Sequence, residues 1–136
     1  MTYTIGREFS FAASHHLDHL PAGHKCARRH GHTYTVQVML ANGELDSAGF
    51  VADYAGLEPL RHYLDTELDH RDLNEALAFQ PSCELIARHL FGWCRSHLPA
   101  GHLVTAVRVS ESPATWAEYR PGSMADHLPH RPGDPR

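Results

Sequence analysis

Apolar and polar residues alternate strictly at the start of the chain. Tyr3, Ile5, Phe9 and Phe11 are interleaved with Thr4, Gly6, Glu8 and Ser10, and only Arg7 interrupts the apolar face. A period of two predicts a strand with one buried face. Tyr34, Val36, Val38 and Leu40 alternate with Thr35, Gln37 and Met39, predicting a second strand over residues 33–41 that the turn pair Asn42-Gly43 ends. The period then changes. Leu57, Leu60, Leu64 and Leu68 recur at helical spacing, predicting an amphipathic helix over residues 55–68. Pro59 belongs in its first turn, because an interior proline costs about 3 kcal/mol. A second helix is expected after Pro81, with Ser82 as N-cap, Glu84 suiting the first-turn dipole, and Leu85, Ile86, Leu90, Trp93 and Cys94 facing the core. Residues 103–111 and 115–120 read as two more strands, joined by Ser112-Pro113-Ala114 in a hairpin-like turn.

The order strand, strand, helix, helix, strand, strand predicts an α+β fold: a four-stranded antiparallel sheet with two helices on one face. One domain is expected over residues 1–120. The stretch 121–136, rich in Pro, Gly and His, is expected to be a loosely ordered tail. A sheet of this size leaves two edges open, and open edges invite pairing with other copies.

Composition narrows the function classes. No apolar run approaches membrane-spanning length, and no basic-then-apolar signal pattern opens the sequence. The three cysteines, Cys26, Cys83 and Cys94, are too widely spaced for a disulfide framework, which fits a reducing cytoplasm. A formal net charge of −4 argues against nucleic acid as a partner. Within that acidic background Lys25, Arg28 and Arg29 form a basic knot. It suits an anionic substrate as well as it suits plain surface charge.

The knot lies among histidines. Six of the 13 histidines fall between His15 and His32. His30 and His32, at i and i+2 on an extended segment, put both rings on one face. With His15 from the neighbouring strand they would make three neutral nitrogens and an open fourth position, the donor set of catalytic zinc. The plainer reading is a solvated His-rich loop. Cys26 between the two strands is either a general base, its thiolate favoured by nearby cations, or a fourth ligand that closes a structural site. Asp69-His70 is a pair more often structural than catalytic, unless the fold brings it to a proton-transferring group. Glu111 shares parity with Val107 and Val109. It therefore either points inward, where it would take two adjacent N–H donors, or is an exposed strand end.

Together these residues resemble the 6-pyruvoyltetrahydropterin synthase family, and most closely its bacterial 6-carboxytetrahydropterin branch. The resemblance runs from Tyr3 to about Tyr119. It is carried by Phe9-Ser-Phe-Ala-Ala-Ser-His15, Cys26-Ala-Arg-Arg-His30-Gly-His32, Asp53-Tyr54, Leu68-Asp69-His70-Arg-Asp-Leu-Asn74, Pro81-Ser-Cys-Glu84 and Val109-Ser-Glu111. The spacing of Cys26 and His30 suits the carboxy branch. His16 stands where an Arg is common, and Ser82-Cys83 replaces a more usual Thr-Ser or Thr-Thr.

The resemblance implies that His15, His30 and His32 hold zinc and that Cys26 accepts a proton. Asp69 and His70 would relay protons, and Glu111 would anchor the pterin's amino-pyrimidine edge and join the relay. It implies a soluble tunnelling-fold (T-fold) subunit, assembled as trimers stacked into a homohexamer. The implied reaction converts 7,8-dihydroneopterin triphosphate to 6-carboxy-5,6,7,8-tetrahydropterin, releasing triphosphate and acetaldehyde, on the way to 7-deazaguanines of the queuosine type. Two alternatives stand beside it: pyruvoyl-type or side-chain-cleaving lyase chemistry on the same pterin, and a zinc-binding module without turnover.

Overall fold

Strands β1 (Tyr3–His15) and β2 (His30–Asn42) pair antiparallel over their whole length, from Tyr3 opposite Asn42 to His15 opposite His30. Both outrun the alternation seen in the sequence, because Ala12, Ala13 and Gly31 carry no hydrophobic contrast although the ladder continues through them. The computed structural model describes residues 2–122, and the tail expected beyond them lies outside the described residues. Strands β4 (Val104–Ser112) and β5 (Thr115–Tyr119) extend the sheet from β2 and turn at residues 113–114, as the hairpin signal predicts.

The α+β class is as expected, but the sheet has five strands rather than four: a short strand β3 (Arg71–Asp72) joins it, in the order β3-β1-β2-β4-β5. The added strand runs parallel to β1 and pairs with Ala13 and Ser14. Two residues have no period, so nothing in the pattern could announce them. The same holds for the one-turn helix α2 (Leu73–Ala76), capped by the Asp72 side chain.

The expected first helix is one continuous helical stretch of three geometries. A 3₁₀ turn (Tyr54–Leu57) is capped by Asp53 and leads into α1 (Glu58–Tyr63), with Pro59 in its first turn. A π turn (Leu64–Leu68) ends the stretch. Its wide turn is closed by Asp69 N–H donating to the Leu64 carbonyl at 2.8 Å. Leu57, Leu60, Leu64 and Leu68 are all buried, so the stripe survives the change of pitch. The second long helix, α3 (Cys83–His97), starts at Ser82, whose hydroxyl accepts from Leu85 N–H. Its buried side is Ile86, Ala87, Leu90, Phe91 and Cys94, whereas Leu85 and Trp93 are only half-buried.

Phe9, Phe11, Tyr34, Val36, Val38, Leu40, Val107 and Val109 form the sheet's side of one core with these helices. Each fully buried Leu, Val or Phe contributes about 1.5–3 kcal/mol of transfer free energy. On the opposite parity Glu8, Ser10, Gly31 and Thr33 are exposed, and Thr35, Gln37 and Met39 are half-buried. Arg7 sits on the apolar parity because its guanidinium reaches out over Phe9 to the Tyr54 carbonyl and to Glu58. That placement offsets the cost of a charge on a buried face.

Candidate metal centre and its surroundings

The core face of the sheet ends in polar chemistry. His15 follows Phe9, Phe11 and Ala13 on the inward parity of β1, and His30 and His32 precede Tyr34 and Val36 on that of β2. Full-length pairing of the two strands therefore brings three imidazoles together edge to face. His15 and His30 ring centroids lie 4.6 Å apart, and those of His30 and His32 lie 4.7 Å apart. One ligand atom from each of the three falls within 4.8 Å of the others.

Two observations test whether a metal ion fits. First, the outer nitrogens are already committed: His15 Nδ1 donates to the Pro81 carbonyl at 2.8 Å, and His30 Nδ1 to the Arg28 carbonyl at 2.6 Å. Backbone partners of this kind fix the tautomer and leave Nε2 as the lone-pair end. Second, His32 Nε2 is buried and has no hydrogen-bond partner, a costly state for a polar atom unless something binds it. His15 and His30 Nε2 are 3.0 Å apart, near the roughly 3.3 Å between two ligands on a tetrahedral zinc. The residues fit a metal. His15 is almost wholly buried, and burial lowers its pKa, which favours the neutral ligand form.

Glu111 closes the centre from β4. The register that sets Val109 opposite Val36 turns Glu111 inward, and its Oε2 lies 3.6 Å from both His15 Nε2 and His32 Nε2. Cys83, the first residue of α3, directs its thiol at the same oxygen at 3.6 Å. Burial, with Glu111 adding to it, pushes the Cys83 thiol up to about 12, so it is a neutral donor. Tyr34 lies beneath, its ring edge-on to His15 and His32 and its buried hydroxyl without a partner. Neither contact was readable from sequence. In the sequence Cys83 is only a departure at its position, and Tyr34 is one more apolar position.

The model of the family described as 6-pyruvoyl tetrahydropterin synthase matches residues 4–122. The chain belongs to this family. It is 32% identical over 127 residues to the 6-carboxy-5,6,7,8-tetrahydropterin synthase of Bacillus subtilis, covering 88% of this chain and 86% of the relative. It is 33% identical over 128 residues to the Synechocystis protein of the same name, covering 87% and 95%. Among solved structures it is similar to the 6-pyruvoyl tetrahydropterin synthase of Caenorhabditis elegans, with a TM-score of 0.78 and 27% identity over 90% of this chain and 97% of that one.

In this member of the 6-pyruvoyl tetrahydropterin synthase family, the other chemistry-bearing residues stand outside the three-histidine set. Cys26 lies on a 3₁₀ turn (Lys25–Ala27) whose carbonyl accepts from Leu17 N–H at 2.8 Å, tying the turn to the exit of β1. Its thiol is not part of the three-nitrogen set, which speaks against the closed four-ligand site. Asp69 and His70 form a built pair, with His70 Nδ1 2.8 Å from Asp69 Oδ2. The pair is clamped to β1: Asp69 Oδ1 accepts from Ala12 N–H at 2.8 Å, and His70 N–H donates to the Ala12 carbonyl at 2.6 Å. The first of these bonds, with His70 adding to it, holds the Asp69 carboxyl below its usual range. His70 takes a positive φ of 58° and its side chain is 82% exposed. A non-glycine residue held in that strained backbone region is a mark of functional sites. His70 and His32 line one open cleft. Of the basic knot, Arg29 is tied to Asp72 at 2.8 Å. Among the described residues no helix is long and apolar enough to cross a membrane.

Proposed function

We propose that this chain is a zinc-dependent lyase that converts 7,8-dihydroneopterin triphosphate and one water to 6-carboxy-5,6,7,8-tetrahydropterin, with release of triphosphate and acetaldehyde. The observation that carries the reading is the convergence of His15, His30 and His32 within 4.8 Å, with a Glu111 oxygen 3.6 Å from two of them. Zinc held by the three Nε2 atoms would polarise the side-chain oxygens of the substrate and acidify the neighbouring protons.

The protein's own groups do the rest. Glu111, kept on the metal side by β4, accepts from the paired N–H groups of the amino-pyrimidine ring, and two parallel bonds to a carboxylate fix its orientation. Cys26 takes a proton from the substrate side chain. Asp69 holds the His70 ring by Nδ1, so the outer nitrogen is the one that passes protons on. Lys25 and Arg28 suit the leaving triphosphate. The carboxy product is favoured by the Bacillus and Synechocystis relatives, both named 6-carboxy-5,6,7,8-tetrahydropterin synthase; a place in cytoplasmic 7-deazaguanine synthesis is part of the same proposal. The worm structure, named for the pyruvoyl product, favours the second reading, in which the same site stops at 6-pyruvoyltetrahydropterin. Incubating zinc-loaded protein with dihydroneopterin triphosphate and weighing the pterin product separates the two. An unaltered substrate would overturn both.

The exposed His70 of the Asp69-His70 pair adds a proposal about assembly. Among the described residues, most of the outer edge of β1 and the outer side of β5 pair with no strand. Joining sheets of several copies into one barrel satisfies them and carries His70 to a neighbour's Cys26. A homo-oligomer in multiples of three, a trimer-based hexamer, is expected by light scattering at micromolar concentration. A fully active monomer would refute the shared site.

A further inference from the structure

Strand β3 stops after two residues, and the edge of β1 beyond it must find other partners. Arg71 and Asp72 pair with Ala13 and Ser14, but the chain then turns into α2, while His15 at the end of β1 and His16 just after it are still to be held. Here a side chain replaces the missing strand. Asn74 Oδ1 accepts from His16 N–H at 2.9 Å, and Asn74 Nδ2 donates to the His16 carbonyl at 3.0 Å. A carboxamide offers an acceptor and donors on one planar head, the same pair that a peptide group offers to a strand edge. Asn74 is itself fixed, since its N–H donates to Asp72 Oδ1 at 3.1 Å in the first turn of α2. The seam continues downstream, where Gln80 Oε1 accepts from Asp18 N–H at 2.9 Å and the Pro81 carbonyl takes His15 Nδ1–H at 2.8 Å.

We propose that Asn74 is a positioning residue for the metal centre: its carboxamide continues the β1–β3 ladder by one rung, which holds His15 in register with His30 and keeps its Nε2 in the three-histidine set. The inference rests on the reading of those histidines as metal ligands. His15 is the last residue of β1, and strand ends open most easily. One bond from the Pro81 carbonyl sets the rotation of its ring. The Asn74 rung sets where the backbone beneath that ring lies.

The test is zinc affinity of the full chain, measured with zinc alone against a chromophoric chelator, for wild type, Asn74→Ala, Asn74→Asp and Tyr63→Phe. Asn74→Ala removes both bonds, and a weakening of about 10–100-fold is expected, the range for groups that orient a ligand. Asn74→Asp keeps the acceptor for His16 N–H but sets a carboxylate against the His16 carbonyl. It is expected to bind zinc more weakly than wild type. Tyr63→Phe removes the 2.7 Å bond between Tyr63 and His89, away from the histidine set. It is expected to lower thermal stability and leave zinc affinity unchanged. Wild-type affinity in Asn74→Ala overturns the proposal, as does an equal loss in Tyr63→Phe, which would mark general loosening. If Asn74→Ala does not fold, wild-type affinity in Asn74→Asp overturns it. Failure of the wild-type protein to bind zinc is a different result and removes the metal reading itself.

Discussion

Replacing His30 by alanine is expected to strip the protein of zinc and of turnover together. His30 supplies a nitrogen that lies 3.0 Å from that of His15, and its own Nδ1 is spent on the Arg28 carbonyl, so no other atom of the residue can take its place. Two nitrogens remain, from His15 and His32, and two do not make the three-ligand set of a catalytic zinc site. The loss of affinity should exceed the about 10–100-fold typical of a supporting group. Metal content after dialysis against a weak chelator reads it directly. His30 is only half-buried and stands at the start of β2, so the fold should survive and the thermal transition should stay cooperative. Full zinc retention in His30→Ala would show that the metal, if bound at all, sits elsewhere.

Cys26→Ala separates an enzyme from a structural zinc module. With Cys26 as proton acceptor, the variant keeps one zinc per chain and loses turnover by about 10²–10⁴-fold, the usual worth of a positioned acid–base group. With Cys26 as fourth ligand it loses zinc and stability together, because structural metal binding is folding free energy. The first outcome is expected. The thiol stands outside the three-nitrogen set, and its turn is held by backbone bonds from Leu17 and by the His24 side chain, none of which uses the sulfur. Zinc content and single-turnover rate on the same sample distinguish the cases. A variant with full zinc and a near-normal rate would leave Cys26 with neither role.

The alternation of Tyr3 to Phe11 and of Tyr34 to Leu40, the Leu57–Leu68 stripe and the Ser82 cap determined the α+β class and the helical face, because each repeats over enough residues to have a period. Parity carried further than that. It set His30 and His32 on one face by their i, i+2 spacing, and it put Glu111 on the parity of two valines while leaving open whether that strand end is buried. Both follow from pleat geometry alone. What the sequence could not contain was pairing over distance. That His15 lies opposite His30, that the Pro81 carbonyl locks its ring, and that Cys83 reaches Glu111 are consequences of register and helix docking between residues far apart in the chain. Strand β3, the π turn that delivers Asp69 to Ala12, and the Asn74 rung are each one to five residues long. They owe their form to the edge of β1 rather than to any local preference, so only the assembled tertiary structure could decide them.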